Sequence, residues 1–246
     1  AEMCIRDRYP GSRKNALEHL TCAQLNGFWP MTTGCQVIIA DGLRGTDEAE
    51  VPVPNGEYCK TAKIGRAIMD ADIFISLTHF KGHESTGFGG TLKNIGMGCG
   101  SRAGKMIQHA AGHPEVQQSL CRGCHRCAKE CGSDAITYDA NNKAVIDQTK
   151  CKGCGRCIGA CNFDAIYSQC DSANERLDRK MAEYAAAVCA GRPCFHVSLV
   201  QDISPNCDCH CENDAPILPD IGIFASFDPV ALDQACADAC LNAQPL

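Results

Sequence analysis

With 246 residues, 45% of them hydrophobic, the chain is long enough for one large domain or two smaller ones with a buried core. Its 23 Lys and Arg against 29 Asp and Glu give a net charge of −6, which excludes the clustered basic footprint of a nucleic-acid-binding protein. No run approaches the roughly eighteen apolar residues of a membrane span, and 21 cysteines without a secretory signal point to a reducing, cytoplasmic setting that suits an anaerobic host.

The first eight residues, AEMCIRDR, have no periodicity, cap or targeting pattern. They are set aside as non-native, in the manner of translated adapter DNA at the start of a metagenomic fragment. SRKNALEHLTCAQLNGF then predicts a helix from a cap-like Ser12 to about Gly27. QVIIADG (36–42) reads as a buried strand running into a turn that presents Asp41 and Arg44, an acid and a base able to pair or to grip a substrate carboxylate. GEYCKTAKI suggests an edge strand, RAIMDA a helix and DIFISLTHF (72–80) a second buried strand.

The next stretch, HFKGHESTGFGGTLKN, gathers His79, His83, Lys93 and Asn94 around Gly89 and Gly90. It lies at a strand's C-terminal end, where α/β folds place ligands. Its glycines let backbone N–H groups approach an anion closely. The structural alternative is a glycine-rich loop whose histidines satisfy backbone carbonyls. The functional expectation is that Lys93 and Asn94 bend back toward His79 and His83 beside Asp41 and Arg44, forming a pocket for a small anionic ligand.

Residues 121–136, CRGCHRCAKECGSDAI, carry four cysteines as C-x2-C-x2-C-x3-C, and residues 151–166, CKGCGRCIGACNFDAI, repeat the pattern. Three thiolates on one tight loop suit three corners of an iron–sulfur cube. In this spacing the fourth cysteine ligates the other cluster. The expected sets are Cys121, Cys124, Cys127 and Cys161 for one [4Fe–4S] cluster, and Cys151, Cys154, Cys157 and Cys131 for the second. A zinc ribbon would pair two C-x2-C knuckles, which leaves the third thiolate of each loop misplaced. A disulfide framework fits neither the spacing nor the absence of a signal peptide. Each repeat ends in D-A-I, and AVIDQTK (144–150) between them predicts a short strand. Residues 118–170 resemble the bacterial two-cluster ferredoxin module. They depart from it at the proline after the fourth cysteine, where Gly132 and Asn162 stand.

Beyond the repeats, NERLDRKMAEYAAAVCAG predicts a long helix closed by Gly191, and CFHVSLVQDI (194–203) a strand. CDCHCEND follows, with Cys207, Cys209 and Cys211 on one face of an extended segment, a candidate third metal site or a set of reduced thiols. IGIFASFDPVALDQACADAC predicts a strand and then a helix with Asp228 as N-cap and Pro229 at the first position. Strands alternating with helices indicate an α/β fold, a mostly parallel sheet with flanking helices. Its halves are 9–117 and 171–246, interrupted by an inserted α+β ferredoxin-like module at 118–170.

QVIIADGLRG (36–45), HFKGHESTGFGGTLKNIGMGCGSRAGK (79–105) and ISPNCDCHCENDAPILPDIGIFASFDPVALDQA (203–235), taken with the insertion, resemble the uncharacterised iron–sulfur centre proteins of domain of unknown function family 362 from about Tyr9 onward. The resemblance implies a redox-active iron–sulfur protein without an established substrate, and it supports Cys207 and Cys209 as parts of the motif. The leading expectation is single-electron transfer through two [4Fe–4S] clusters to or from a redox partner, a ferredoxin or flavoprotein, or a small anionic ligand. The alternative is an oxidoreductase or isomerase acting on a small anionic substrate, with His79, His83 and Lys93 as its catalytic groups.

Overall fold

A computed structural model describes residues 15–43, 45–83, 85–109, 114–151, 157, 160–163, 165–168, 171–208 and 214–246. Helix α1 (Ala16–Leu25) starts where the Asn15 side chain accepts the Glu18 N–H at 3.0 Å. The short helix α2 (Pro30–Thr33) follows. Strands β1 (Glu48–Pro52) and β2 (Thr61–Gly65) form an antiparallel hairpin in register from Glu48↔Gly65 to Pro52↔Thr61. After the single turn of α3 (Arg66–Met69) come β3 (Phe74–His79), the antiparallel pair β4 (Lys81–His83) and β5 (Gly87–Gly89), and helices α4 (Thr91–Gly98) and α5 (Arg102–His109).

The cysteine-rich region contributes β6 (Pro114–Val116), α6 (Arg126–Lys129), β7 (Ile136–Tyr138), β8 (Ala144–Ile146) and β9 (Ile166–Ser168). Here β7 pairs with β8 and β6 with β9, both antiparallel, so each D-A-I ends in the first residue of a strand. The chain then leaves this region for the rest of the protein, termed the host, through α7 (Asp171–Cys189), β10 (Cys194–Val200), β11 (Gly222–Ser226) and α8 (Pro229–Asn242). Asp228 caps α8 by accepting the Val230 and Ala231 N–H groups, with Pro229 at its first position.

The expected mostly parallel sheet does not form. The largest sheet has three strands in the order β11–β10–β3, and among the described residues β3 with β10 is the one parallel pair. The other sheets are two-stranded and antiparallel. Connectivity explains the difference. A parallel pair needs a crossover of a dozen or more residues, usually helical. The passage from β3 to β10 supplies one through α4 and α7, whereas α3 offers one turn between β2 and β3, and no described helix separates β10 from β11. Residues 36–39, expected as a buried strand, join no sheet, and Ile38 is 67% exposed. Their apolar run follows β-propensity, but it forms no ladder with another strand among the described residues.

Helices α4 and α8 cover one face of the three-stranded sheet, where the polar Ser76, Thr78, His196 and Ser198 are buried beside the apolar Val200. The Ser76 hydroxyl and His196 Nδ1 share a hydrogen bond of 2.9 Å. The opposite face is apolar and open, with Ile75 65% and Phe227 79% exposed. The host core lies between α4, α7 and the β1–β2 hairpin, around Ile64, Ile95, Tyr184 and Val188. A second cluster of Phe80, Val200, Ile203, Leu232 and Cys236 seats α8.

Candidate metal centre

The cysteine-rich region is built around its own thiols. Cys121, Cys127 and Cys157 are buried together with Ile136, Ala144, Ala165 and Ile166, and Cys131 and Cys161 pack against them. Gly123 holds a left-handed φ of 64°, and a Cβ there would meet the Asn142 carbonyl oxygen at 2.3 Å, so the first cysteine loop closes directly onto the β7–β8 turn. Cys121, Cys124, Cys127 and Cys161 line a single cleft with His125, Tyr138 and Phe163 on its walls. The fourth cysteine of the second repeat therefore faces the three loop cysteines of the first. Cys154 lies outside the described residues, and Cys151 is half-buried.

Hydrogen-bond donors are aimed at these sulfurs. The Ala144 N–H points at Cys121 Sγ (3.4 Å) and the Ala135 N–H at Cys131 Sγ (3.3 Å). The Tyr138 hydroxyl stands 3.5 Å from Cys127 Sγ, and the Ser133 hydroxyl 3.6 Å from Cys131 Sγ. Burial pushes the Cys127 thiol up. Burial also acts to raise Cys131, but the Ala135 N–H and Ser133 outweigh it and bring that thiol below its ordinary value. Acceptor sulfurs ringed by donors suit thiolate ligands. Among the described residues no three His, Cys, Asp or Glu side chains are gathered tightly enough for a single metal ion.

A second polar cluster sits where β3 and β10 end. His79 Nδ1 meets Asp208 Oδ2 at 2.8 Å and its Nε2 donates to the Gln201 carbonyl at 2.8 Å, so both ring nitrogens are engaged. Lys81 Nζ reaches Asp208 at 3.1 Å and the His79 carbonyl at 2.8 Å. The hydrogen bond that His79 donates to Asp208 raises the His79 pKa against the opposing effect of burial. Burial would raise the Asp208 carboxyl, but His79 and Lys81 together hold it down at about 2.

His83 Nδ1 accepts the Ser85 and Thr86 N–H groups at 3.0 and 3.3 Å. Burial raises Asp178 to about 6, an effect that the nearby His83 opposes. Lys93, buried, points its Nζ at the fully buried Cys207 Sγ, 3.4 Å away. The segment after β10 thus closes the same end of the sheet as the loop after β3. Cys209 and Cys211 lie outside the described residues, as does Arg44.

Asn94 and Asp41 stand elsewhere, lining a cleft of about 550 Å³ between residues 35–41 and the edge of β3. Asn94 donates to Thr78 Oγ1 at 2.8 Å and to the Leu77 carbonyl at 3.2 Å. At the end of the glycine loop an anion is already supplied by the chain. Asp233, buried on α8, accepts the Thr91 and Leu92 N–H groups at 2.6 and 2.8 Å and so caps α4. A Cβ on Gly90 would stand 2.5 Å from Asp233 Oδ1, which is why glycine is needed there.

Asp208 and Asp233 escaped the sequence reading. Asp208 sits among the thiols of CDCHCEND, which drew all the attention. Asp233 had a visible signal, since it falls on the inward stripe of α8 with Leu232 and Cys236. A carboxylate on a buried stripe implies an internal partner.

The model of the family described as domain of unknown function DUF362 matches residues 2–238. No curated protein matches the chain. Among the described residues no helix is long and apolar enough to cross a membrane.

Two tests follow from the polar contacts. Asp233→Ala strands two buried N–H donors and is expected to cost about 2 kcal/mol of stability in urea unfolding, with Asp233→Asn recovering part of it through its remaining oxygen. Asp208→Asn is expected to lower the His79 pKa in an NMR titration. The His79 contribution is present below the ordinary His pKa of about 6.5 and is lost as pH rises through the raised folded value; the Asp208 contribution is present above about 3.9 and lost as pH falls toward the folded value. The stability deficit of Asp208→Asn should therefore be widest between about pH 4 and 6.5, and should narrow at higher pH to what Lys81 alone contributes.

Proposed function

The chain belongs to the DUF362 family, and from that premise we propose that it is an iron–sulfur protein passing single electrons through two [4Fe–4S] clusters to or from a redox partner such as a ferredoxin or flavoprotein. One observation carries this reading: Cys161 stands with Cys121, Cys124 and Cys127 around one cleft, as a cluster shared between two repeats requires. Cys151, Cys154, Cys157 and Cys131 would hold the second. When bound, each cluster supplies a one-electron couple whose potential follows its charge, its exposure and the hydrogen bonds to its sulfurs.

The chain's own residues do the rest. The Ala144 and Ala135 N–H groups and the Tyr138 and Ser133 hydroxyls stabilise negative sulfur. Ile136, Ala144, Ala165 and Ile166 exclude water from the thiols. Zinc pairing of two knuckles would leave Cys127 and Cys157 without a role, although both are buried in the cysteine core. We assign the host a docking role. His79 is bound at both ring nitrogens, so it supports the sheet end rather than a proton transfer.

Anaerobic reconstitution with iron and sulfide is expected to load about eight irons, two clusters of four. Crossed ligation then makes a specific demand on double variants. Cys131→Ala removes the cluster of the second loop, so adding Cys154→Ala costs nothing further and about four irons remain, whereas adding Cys124→Ala removes those as well. The reverse pattern would refute crossed ligation. Four irons or two zincs in the unsubstituted chain would refute the two-cluster assignment.

A further inference from the structure

The two repeats differ at the positions closest to sulfur. Aligned thirty residues apart, Tyr138 corresponds to Ser168, Ser133 to Phe163 and His125 to Gly155. Two hydroxyls of the first repeat stand beside cysteine sulfurs, Tyr138 at Cys127 and Ser133 at Cys131. The phenol is held in place. Its ring stacks on His125 with centroids 3.8 Å apart and planes 25° from parallel, and His125 Nε2 bonds Asn142 Oδ1 at 2.8 Å. In the β7–β8 register Tyr138 lies opposite Ala144, whose N–H points at Cys121 Sγ. Tyr138 therefore belongs with the cleft of Cys121, Cys124, Cys127 and Cys161. Cys131, which Ser133 serves, is the cysteine that the crossed arrangement gives to the other loop.

We propose that Tyr138 and Ser133, two hydroxyls of one repeat, separately set the reduction potentials of two different clusters. The inference rests on the cluster reading above and adds to it the residues that regulate each couple. A hydroxyl donating to ligand sulfur favours the more negative, reduced state and raises the potential. At the aligned positions the second repeat carries Ser168 and Phe163, so the residue types differ between the repeats. Because Tyr138 and Ser133 serve cysteines assigned to different clusters, each couple can be shifted without disturbing the other. Tyr138 and Ser133 act here through Cys127 and Cys131, as positioning residues.

The test is an EPR-monitored redox titration of the reconstituted full chain, with Tyr138→Phe, Ser133→Ala and the double variant beside it. Phenylalanine keeps the stack on His125 and removes only the hydroxyl. Tyr138→Phe is expected to move one midpoint negative by about tenfold in the reduction equilibrium, ~59 mV for one electron. Ser133→Ala should move the other midpoint in the same direction, and the double variant should move each midpoint by the amount its own single variant does. Where the unsubstituted midpoints overlap, each single variant should broaden the wave and the double variant should narrow it again. If both substitutions move the same midpoint, or neither moves any, the inference is overturned. Iron content separates the two levels. About eight irons with unmoved midpoints would refute the tuning alone, whereas a chain that loads no more than one cluster would refute the cluster reading and this inference with it.

Discussion

Cys161 lines one cleft with Cys121, Cys124 and Cys127, and this meeting of the two repeats lies in the core of the cysteine-rich region. The strands around it are three residues long, β6 with β9 and β7 with β8. Two-stranded ribbons of this length are not stable by themselves in water. What joins them is a small core in which the cysteines are themselves structural members alongside Ile136, Ala144, Ala165 and Ile166. In the proposed reading, metal ligation adds its binding free energy to that core, so loading and folding of the region are one event. In the proposed reading, crossed ligation also accounts for the cassette occurring twice, since each cluster takes its fourth cysteine from the other repeat.

The host depends on the long crossover that contains this region. Pairing of β3 with β10 brings together residues from either side of the cysteine-rich region, and α4 and α7, which precede and follow it in the chain, pack on one another. Side chains then pin the junction. Asp233 caps α4 from α8, Glu183 of α7 accepts the N–H groups of Glu57, Tyr58 and Cys59, and Arg192 donates to the carbonyls of Ile68, Ala71 and Val188. These are charged groups bonded to backbone, stronger than neutral pairs. They compensate for a sheet whose covered face buries polar side chains and whose open face carries Ile75, Leu77, Ile223 and Phe227.

Local features of the sequence were legible because they are local. The cysteine spacings, the Asp228–Pro229 helix start, the strands within 72–80 and 194–203 and the long helix ending before Gly191 all stand where propensity and capping put them. The architecture was not legible, because an alternation of strand and helix signals does not specify which strands pair. RAIMDA, expected as a helix, forms one turn, and without a longer crossover β2 pairs back on β1. The site divided similarly. The clustering of polar residues after 72–80 was visible in HFKGHESTGFGGTLKN, whereas the meeting of Lys93 with Cys207 and the roles of Asp208 and Asp233 required the tertiary contacts themselves.

Spin coupling tests the central claim most directly. Two clusters that exchange a ligand between their loops lie within one small core. The fully reduced protein should therefore show the broad, split EPR spectrum of two interacting S = 1/2 centres, and the half-reduced protein the simpler signal of one. Two independent, unsplit signals at full reduction, or a single centre however much reductant is added, would contradict the shared-core arrangement on which the account is built.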